Sequence, residues 1–274
     1  MSKGIPRVVF PEWDAPAITE ARARLLVEGI CTPIPVDTPT AAQAAAIMST
    51  RDVPKPVAER MLKRPLIRAA AMVGAGDADA MVAGIEAPTR RVIEAASLAI
   101  GLASGVAIAS SFFLMRFPDG QELIFADCAV TVNPDADDLS AIARASERSA
   151  LALLGHADVA LLSYATGTSG AGADVEKVRE AAAATGYCGP IQVDAALNAA
   201  IAAKKGVAGG AANVLIFPDL DAGNIGYKLC QELAGAKAIG PVLQGFRKPV
   251  CDLSRGATAD DVVAATELTL KLAR

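Results

Sequence analysis

A short polar segment near the C-terminal end combines residue types that could act on a phosphorylated substrate. Asp252, Ser254, Arg255, Thr258 and Asp261 lie close together, directly after a stretch rich in glycine and proline. Arginine presents its N–H groups as a planar fork that fits phosphate, and a neighbouring glycine lets a ligand approach the backbone. The apolar run that follows predicts a helix, whose N-terminal amides favour anions. The segment is therefore a candidate site for a phosphate-like oxyanion.

A purely structural role explains part of the same segment. Thr258 is a suitable N-cap residue, because its hydroxyl can accept a hydrogen bond from an unpaired amide of the first turn. Asp261 stands three residues later, where a carboxylate completes a capping box and complements the helix dipole. The pattern alone favours capping for these two residues. Capping does not explain the sequence Ser254-Arg255-Gly256.

A second loop, rich in glycine, serine and threonine, lies between a predicted strand at 159–163 and a predicted helix. Such an arrangement can hold phosphate on backbone amides, although it can also be a plain turn. The loop is neither a Walker A motif nor GxGxxG, so a nucleoside triphosphate or a dinucleotide is not indicated. If this loop and residues 253–256 face one cleft, they could enclose one anion. The candidate residues in the loop are Ser163, Thr166, Gly167, Thr168, Ser169 and Gly170.

The composition limits the class of protein. The chain has 274 residues, of which 53% are hydrophobic, and this suits one large or two modest α/β domains. A net charge of −4 argues against general nucleic-acid binding. Five cysteines without a CxxC pair favour a reducing, cytoplasmic compartment. No secretory signal or membrane-spanning run is visible, so no membrane partner is expected.

Short β-branched runs alternate with longer helical patterns, which predicts an α/β fold with a largely parallel sheet. One helix is predicted over 57–73. A turn at 118–120 predicts a β-hairpin and therefore a mixed sheet. A further strand is predicted over 191–195, with Asp194 near its carboxyl end, where α/β folds place ligand contacts.

Several polar residues outside these loops have a structural explanation. Asp135, Asp137 and Asp138 precede a periodic helix and are expected to cap it rather than bind a metal, and no metal site is predicted. His156 is the only histidine and is expected in an exposed loop, which argues against a Ser-His-Asp hydrolase. Cys251 is expected to be a packed thiol. Three residues on a predicted helix could be surface, capping or functional groups: Asn224, Tyr227 and Lys228.

Several long blocks, taken in order, resemble the phosphate acetyltransferase (phosphotransacetylase) family. They include FADCAV, LSYATGTSGAGADVEKVREA, ANVLIFPDLDAGNIGYK, AIGPVLQGFRKPV and DLSRG. The resemblance implies two α/β domains with the active site in the cleft between them, as in the isocitrate/isopropylmalate dehydrogenase-like fold. The first domain would comprise 1–103 and 247–274, and the second 104–246. A homodimer is implied as well.

The resemblance also implies a reaction, the reversible transfer of an acetyl group between acetyl phosphate and coenzyme A with release of inorganic phosphate. Coenzyme A and acetyl-CoA are then substrates, and no cofactor is permanently bound. Ser254 matches the residue that holds the thiol and the reacting carbonyl, Arg255 matches the arginine on the phosphoryl group, and Asp261 matches the base. The thiolate would attack directly, without a covalent enzyme intermediate. Further substrate contacts are expected from the loop at 163–170 and from Asp194, Asn224, Tyr227 and Lys228.

One departure from the family concerns the phosphates of coenzyme A. Glu94 stands where relatives have an arginine that helps to bind coenzyme A. Arg90 and Arg91 lie within about one helical turn and could substitute for it.

Two other interpretations stay open. Phosphate butyryl or propionyl transferases share the fold and many of the motifs, and acyl length depends on pocket walls. A non-catalytic module that senses acyl-CoA is the other. The presence of Ser254, Arg255 and Asp261 favours an enzyme.

Overall fold

The computed structural model describes residues 4–273. The strands are β1 (Arg7–Val9), β2 (Thr32–Ile34), β3 (Ala80–Ala83), β4 (Ser110–Arg116), β5 (Glu122–Ala126), β6 (Val159–Leu162), β7 (Cys188–Ile191), β8 (Val214–Ile216), β9 (Lys237–Gln244) and β10 (Val250–Asp252). The helices are α1 (Pro16–Val27), α2 (Ala41–Thr50), α3 (Lys55–Met61), α4 (Pro65–Ala75), α5 (Thr89–Ala99), α6 (Ala136–Leu154), α7 (Ala173–Thr185), α8 (Val193–Leu197), α9 (Ala199–Lys205), α10 (Leu220–Ala234) and α11 (Ala259–Lys271). This alternation confirms the predicted α/β class.

The chain forms two compact units, Met1–Val106 with Gly240–Arg274, and Ala107–Ile239. We call them unit 1 and unit 2. The domain boundaries expected at 103/104 and 246/247 stay a prediction. Within residues 4–273, no helix has both the length and the apolar character needed to cross a bilayer.

Unit 1 is built on strands in the order β2-β1-β3-β10-β9. Strands β2, β1, β3 and β10 run parallel, and β9 is antiparallel to β10. The carboxyl ends of parallel strands meet at one edge of a sheet, where α/β folds bind ligands. The carboxyl ends of β1, β3 and β10 and the residues directly after them therefore come together, and they include Glu12, residues 84–87 and Asp252.

Unit 2 contains the strand order β4-β5-β8-β6-β7. Strands β4 and β5 form the predicted antiparallel hairpin, and β5, β8, β6 and β7 pair in parallel. The predicted mixed sheet is thus confirmed. Its apolar core includes Phe113, Met115, Phe125 and Leu215.

Two predictions about local structure are wrong. The helix expected over 57–73 is interrupted between α3 and α4, because Pro65 cannot donate a backbone hydrogen bond and forces Arg64 into an extended conformation (ψ 117°). Pro65 instead starts α4, a position that proline favours. The strand expected over 191–195 ends at Ile191, and Asp194 lies in the first turn of α8. Ala195 and Ala196 are buried on one side of this short helix, whereas Val193 is exposed.

Three predictions about single residues are confirmed. Asp135 caps α6 through a capping box with Asp138. His156 is exposed in the loop after α6. Cys251 is fully buried, and burial raises the pKa of its thiol to about 12.

Candidate active site

The N-terminus of α11 is closed by a capping box between Thr258 and Asp261. The Thr258 amide and hydroxyl donate to Asp261 Oδ2 at 2.9 and 2.7 Å, and Thr258 Oγ1 accepts from the Asp261 amide at 3.2 Å. The predicted capping role is confirmed. Both hydrogen bonds to the carboxylate fall on Oδ2, and no donor among residues 4–273 reaches Oδ1. Asp261 is exposed, so Oδ1 is available to an external proton donor.

Ser254 and Arg255 lie in the exposed turn between β10 and α11. The Ala257 amide donates to the Ser254 carbonyl oxygen at 2.9 Å, and the Gly256 amide donates to Ser254 Oγ at 3.4 Å. Because Oγ acts as the acceptor, the hydroxyl hydrogen can be donated to a ligand. Arg255 forms no ion pair with any carboxylate in the described part of the chain. An exposed, unpaired guanidinium beside a hydroxyl suits phosphate.

Asp252, the last residue of β10, lies beneath this turn and is only 1% exposed. The Thr89 hydroxyl donates to its Oδ2 at 2.6 Å, whereas Oδ1 is buried and has no hydrogen-bond partner among the described residues. Burial raises the pKa of Asp252 to about 7; the Thr89 hydrogen bond opposes this rise, and the charge of Glu12 adds to it. In the sequence Asp252 is one of several clustered polar residues, and its burial was not predicted.

Glu12 organises the loop after β3. Its Oε2 accepts from the amides of Gly84 and Ile85 at 2.8 and 3.1 Å, and its Oε1 accepts from the amides of Glu86 and Ala87 at 3.0 and 2.7 Å. Four amide donors to one carboxylate fix this loop immediately before α5. This role was not predicted from the sequence, although an acid just after a strand is a recognisable signal.

The start of α5 carries the two arginines expected to contact coenzyme A. Arg90 is exposed and forms no ion pair with a described carboxylate. Arg91 instead binds Glu94 at 2.7 Å, and Arg64 reaches the same carboxylate at 3.3 Å. The hydrogen bond from Arg91 is the main cause of the lowered pKa of Glu94. Of the two predicted arginines, only Arg90 therefore has an unengaged guanidinium.

The loop between β6 and α7 contains the other group of predicted residues. Three hydrogen bonds shape it, and two of them leave the loop: the Gly167 amide donates to Pro190 O at 2.9 Å and Thr166 Oγ1 to Gln192 Oε1 at 3.2 Å, while the Thr166 amide donates within the loop to Ser169 Oγ at 2.9 Å. Gly167 and Gly170 have positive φ angles of 59° and 75°, which glycine adopts without strain.

The second half of this loop keeps donors free. The amides of Thr168 and Gly170 donate to no acceptor among residues 4–273, and both residues are exposed. Ser163 is half-buried, and its Oγ accepts from the Ala165 amide at 3.1 Å. Free amides just before α7 can bind an anion, because the N-terminus of a helix is electropositive.

Asp194 is engaged within unit 2. Lys205 Nζ binds its two carboxylate oxygens at 2.8 and 3.0 Å and also donates to Gln192 Oε1 at 2.9 Å. The hydrogen bond from Lys205 is the largest contribution to the lowered pKa of Asp194. The contact of Lys205 was not predicted from the sequence, because a lysine at the end of a helix carries no distinctive signal.

The three predicted residues of α10 have different surroundings. Asn224 Nδ2 donates to Cys128 O at 3.2 Å. The Tyr227 ring packs on Phe113 with the ring centroids 4.3 Å apart, so Tyr227 belongs to the margin of the core. Lys228 is exposed, with Nζ 5.0 Å from the centre of the Tyr227 ring.

Comparison with solved structures defines the class of fold. A phosphotransacetylase from Streptococcus pyogenes superposes with a TM-score of 0.91 and 31% identity, over 100% of this chain and 95% of the other. A Salmonella typhimurium protein described as a 4-hydroxythreonine-4-phosphate dehydrogenase has a TM-score of 0.53 and 13% identity over 98% of this chain and all of its own. The latter likeness concerns the fold alone and supports the expected dehydrogenase-like class.

Sequence comparison places the chain in a family. Residues 36–270 match the family model described as "Phosphate acetyl/butaryl transferase". A phosphate acetyltransferase from Paracoccus denitrificans is 38% identical over 96% of this chain and 93% of its own length. The chain belongs to this phosphate acetyl and butyryl transferase family, and the resemblance seen in the sequence is confirmed. It spans between 31% and 42% of the length of the first four curated relatives that it matches.

Proposed function

We propose that this chain catalyses the reversible transfer of an acetyl group between acetyl phosphate and coenzyme A. The observation that carries the proposal is the composition of the exposed turn before α11 together with the first turn of that helix. Arg255 offers an unpaired guanidinium, Ser254 a hydroxyl hydrogen, and Asp261 a free carboxylate oxygen. These groups match those that the family resemblance assigns to the reaction. The identity with the Paracoccus denitrificans protein supports the same activity.

The reaction needs a base for the thiol. A free thiol has a pKa of about 8.5 and is mostly protonated at neutral pH, yet the thiolate is the nucleophile. Asp261 Oδ1 accepts the thiol proton of coenzyme A, and the thiolate sulfur attacks the carbonyl carbon of acetyl phosphate. The tetrahedral adduct then collapses and breaks the bond between the carbonyl carbon and the phosphate oxygen. Phosphate leaves with the electron pair of that bond.

Arg255 and Ser254 act on the charges that develop during this step. The Arg255 guanidinium binds the phosphoryl oxygens and stabilises the leaving phosphate. The Ser254 hydroxyl donates a hydrogen bond to the reacting carbonyl or the sulfur and so orients them. Both substrates are bound together and no acyl-enzyme forms. Initial-velocity plots should therefore intersect, whereas parallel lines would contradict direct transfer.

Each unit, taken by itself, contains further groups that we propose as substrate contacts. In unit 1, Arg90 is suited to a phosphate of coenzyme A, and in unit 2 the amides of Thr168 and Gly170 are suited to phosphate, since these groups are exposed and have no partner among the described residues. Lys228 is a further exposed cation. For Asp194 to contact a substrate, its carboxylate must bind the ligand while it also pairs with Lys205. Asn224 and Tyr227 would contribute mainly by shaping the surface, because both already have partners within unit 2.

The experiment that tests the proposal is a direct assay of the purified protein with coenzyme A and acetyl, propionyl or butyryl phosphate, followed by thioester absorbance. The highest kcat/KM with acetyl phosphate would support the proposal. A preference for butyryl or propionyl phosphate would instead identify a transferase for longer acyl groups. Binding of acetyl-CoA without turnover of any acyl phosphate would identify a sensing module.

We also propose that the chain forms a homodimer. Ile225, Leu229 and Leu233 recur every four residues on α10 and are 56%, 51% and 81% exposed. Such a spacing places them on one face of the helix, and covering an apolar face removes it from water. A second copy of the chain is the partner that the family resemblance implies. Light scattering should give twice the monomer mass. The double variant Leu229→Glu with Leu233→Glu should instead have the mass of a single monomer.

A cytoplasmic location is proposed from the cysteines. All five are free thiols, including the buried Cys31 and Cys128. Reduced thiols are usual in a reducing compartment. Cell fractionation followed by detection of the protein would test this location.

A further inference from the structure

Asp252 is a buried acid to which the proposed mechanism assigns no step. It ends β10, two residues before Ser254, and its Oδ2 accepts the Thr89 hydroxyl at 2.6 Å. Thr89 is the first residue of α5 and directly precedes Arg90. The hydrogen bond therefore joins the backbone segment that carries Ser254 and Arg255 to the segment that carries Arg90.

The surroundings of Asp252 leave its carboxyl little freedom. A Cβ placed on Gly84 would lie 2.2 Å from Asp252 Oδ1 and 2.8 Å from the amide nitrogen of Leu253, so the carboxyl packs directly on the glycine backbone. The Leu253 amide itself donates to Ala83 O at 2.6 Å. Glu12 fixes the same loop through the amides of residues 84–87. The turn before α11 thus rests on a tightly packed carboxyl.

The charges around this carboxyl disfavour its ionised form. It forms no ion pair with any lysine, arginine or histidine among residues 4–273, and Oδ1 has no hydrogen-bond donor there. From the segment after β1, Glu12 faces it with a negative charge. From α5 it meets the Thr89 hydroxyl, and within β10 its neighbour is the neutral thiol of Cys251. An unpaired buried charge is costly, so ionisation should loosen this packing.

We infer that Asp252 is a positioning residue, which acts as a neutral carboxyl and, through Thr89, holds the Ser254–Arg255 turn and the start of α5 in their active arrangement. The inference rests on the proposed function, since it assigns a role to these segments in the same reaction. The pKa of about 7 is consistent with a neutral carboxyl below neutral pH. Asp252 does not contact the reacting atoms in this role. Its ionisation should lower activity as the pH rises through neutrality.

The test compares pH profiles of kcat and kcat/KM for the wild-type chain and for Asp252→Asn, between about pH 5.5 and 9. Asparagine keeps the shape and the hydrogen bond to Thr89 but cannot ionise. We expect Asp252→Asn to retain wild-type activity within about threefold at pH 6. Its activity should not show the decline near pH 7 that is expected of the wild type. Asp252→Ala should lose at least about tenfold in kcat/KM at pH 6. Asp52→Asn, which changes an exposed acid of the same unit, should leave the wild-type profile unchanged.

Two outcomes with Asp252→Asn would overturn the inference. One is a pH profile of Asp252→Asn that superimposes on the wild-type profile. The other is a folded Asp252→Asn protein that is inactive at every pH, which would mean that the acid itself is needed. Thr89→Val and Thr89→Ser provide a second pair in case Asp252→Ala does not fold. Valine should lower kcat/KM about as much as Asp252→Ala and serine should restore it; full activity of Thr89→Val would also count against the inference.

Failure of the proposed function is distinguishable from failure of this inference. If the wild-type chain forms no acetyl-CoA at any pH, the proposed function is wrong. Urea unfolding still tests the buried carboxyl in that case, because the stability difference between wild type and Asp252→Asn should change between about pH 5 and 8. A stability difference that is constant over this range would show that ionisation of Asp252 does not change the stability of the fold, and so would contradict the inference.

Discussion

The Asp261 carboxylate accepts two hydrogen bonds from Thr258, both on Oδ2, and its Oδ1 accepts none from residues 4–273. One side chain can therefore cap α11 and still offer an oxygen to a substrate. The capping interaction also fixes the direction in which Oδ1 can receive a proton. Helix capping and the proposed role as a base are thus compatible at Asp261, although the sequence pattern alone presents them as alternatives.

Separate substitutions can distinguish the two roles of Asp261. Asp261→Asn removes the base but keeps an amide that can still accept from Thr258, so kcat should fall by about 10²- to 10⁴-fold. The free energy of unfolding should change by less than about 1 kcal/mol. Thr258→Ala should instead lower stability by about 1 kcal/mol and retain more activity than Asp261→Asn. Equal losses of activity in the two variants would show that the carboxylate matters only as part of the cap.

Arg255→Ala should remove a donor to the leaving phosphate without affecting the core. The expected loss is about 2.7–4 kcal/mol in the activation barrier, or roughly 10²- to 10³-fold in kcat. Thermal unfolding should stay close to that of the wild type, because Arg255 is exposed and pairs with no described carboxylate. Arg51→Ala is the matched control, since it removes an exposed arginine of the same unit. Wild-type kcat in Arg255→Ala would exclude the proposed role.

Glu94 is expected to limit the affinity for coenzyme A. Its carboxylate binds Arg91 at 2.7 Å and Arg64 at 3.3 Å. Glu94→Gln should free both guanidinium groups, lowering the KM for coenzyme A severalfold while kcat stays the same. The gain should shrink at high salt, because exposed charges are screened. Glu59→Gln, at the exposed Lys55–Glu59 pair, is the control; an unchanged KM in Glu94→Gln would place the arginines outside the binding surface.

The buried carboxyl of Asp252 should make stability depend on pH. Its pKa is about 7 in the folded chain, above the ordinary value of 3.8, so the native state binds the proton more tightly. The contribution of this group to stability is complete below about pH 4 and is lost as the pH rises through about 7. Relative to Asp252→Asn, wild-type stability should therefore fall by up to roughly 4 kcal/mol across this window. Denaturant unfolding of both proteins at several pH values would measure this fall. A wild-type stability that rises with pH relative to Asp252→Asn would contradict the assignment.

Sequence patterns predicted those features that depend on neighbouring residues. The cap of α11, the cap of α6 and the hairpin around 118–120 each rest on residues within a few positions of one another. The break before Pro65 was also present in the sequence, but the apolar period on both sides of it suggested one helix. The α8 helix was missed because a five-residue helix has too few turns to show a period.

The contacts of Asp252 could not be predicted from sequence patterns. They join residues that are far apart in the chain: Thr89 is 163 positions from Asp252, and Glu12 is 72 positions from Gly84. These residues meet because β1, β3 and β10 are parallel neighbours, and strand order is set by packing across the whole sheet. The burial of Asp252 follows from the same order. Its unusual pKa is therefore a property of the fold and not of the local sequence.

The close packing of Asp252 on Gly84 should leave no room for a side chain at position 84. Gly84 has a φ of 106°, and a Cβ there would lie 2.2 Å from Asp252 Oδ1 and 2.8 Å from the Leu253 amide nitrogen. Gly84→Ala should combine backbone strain with overpacking and lower stability by more than about 2 kcal/mol. Gly76→Ala is the matched control, because Gly76 has a φ of 85° but nothing within 4 Å of the added carbon. Chemical denaturation of both variants should give the larger loss for Gly84→Ala; an equal loss would mean that backbone strain alone is responsible and that the contact with Asp252 is loose.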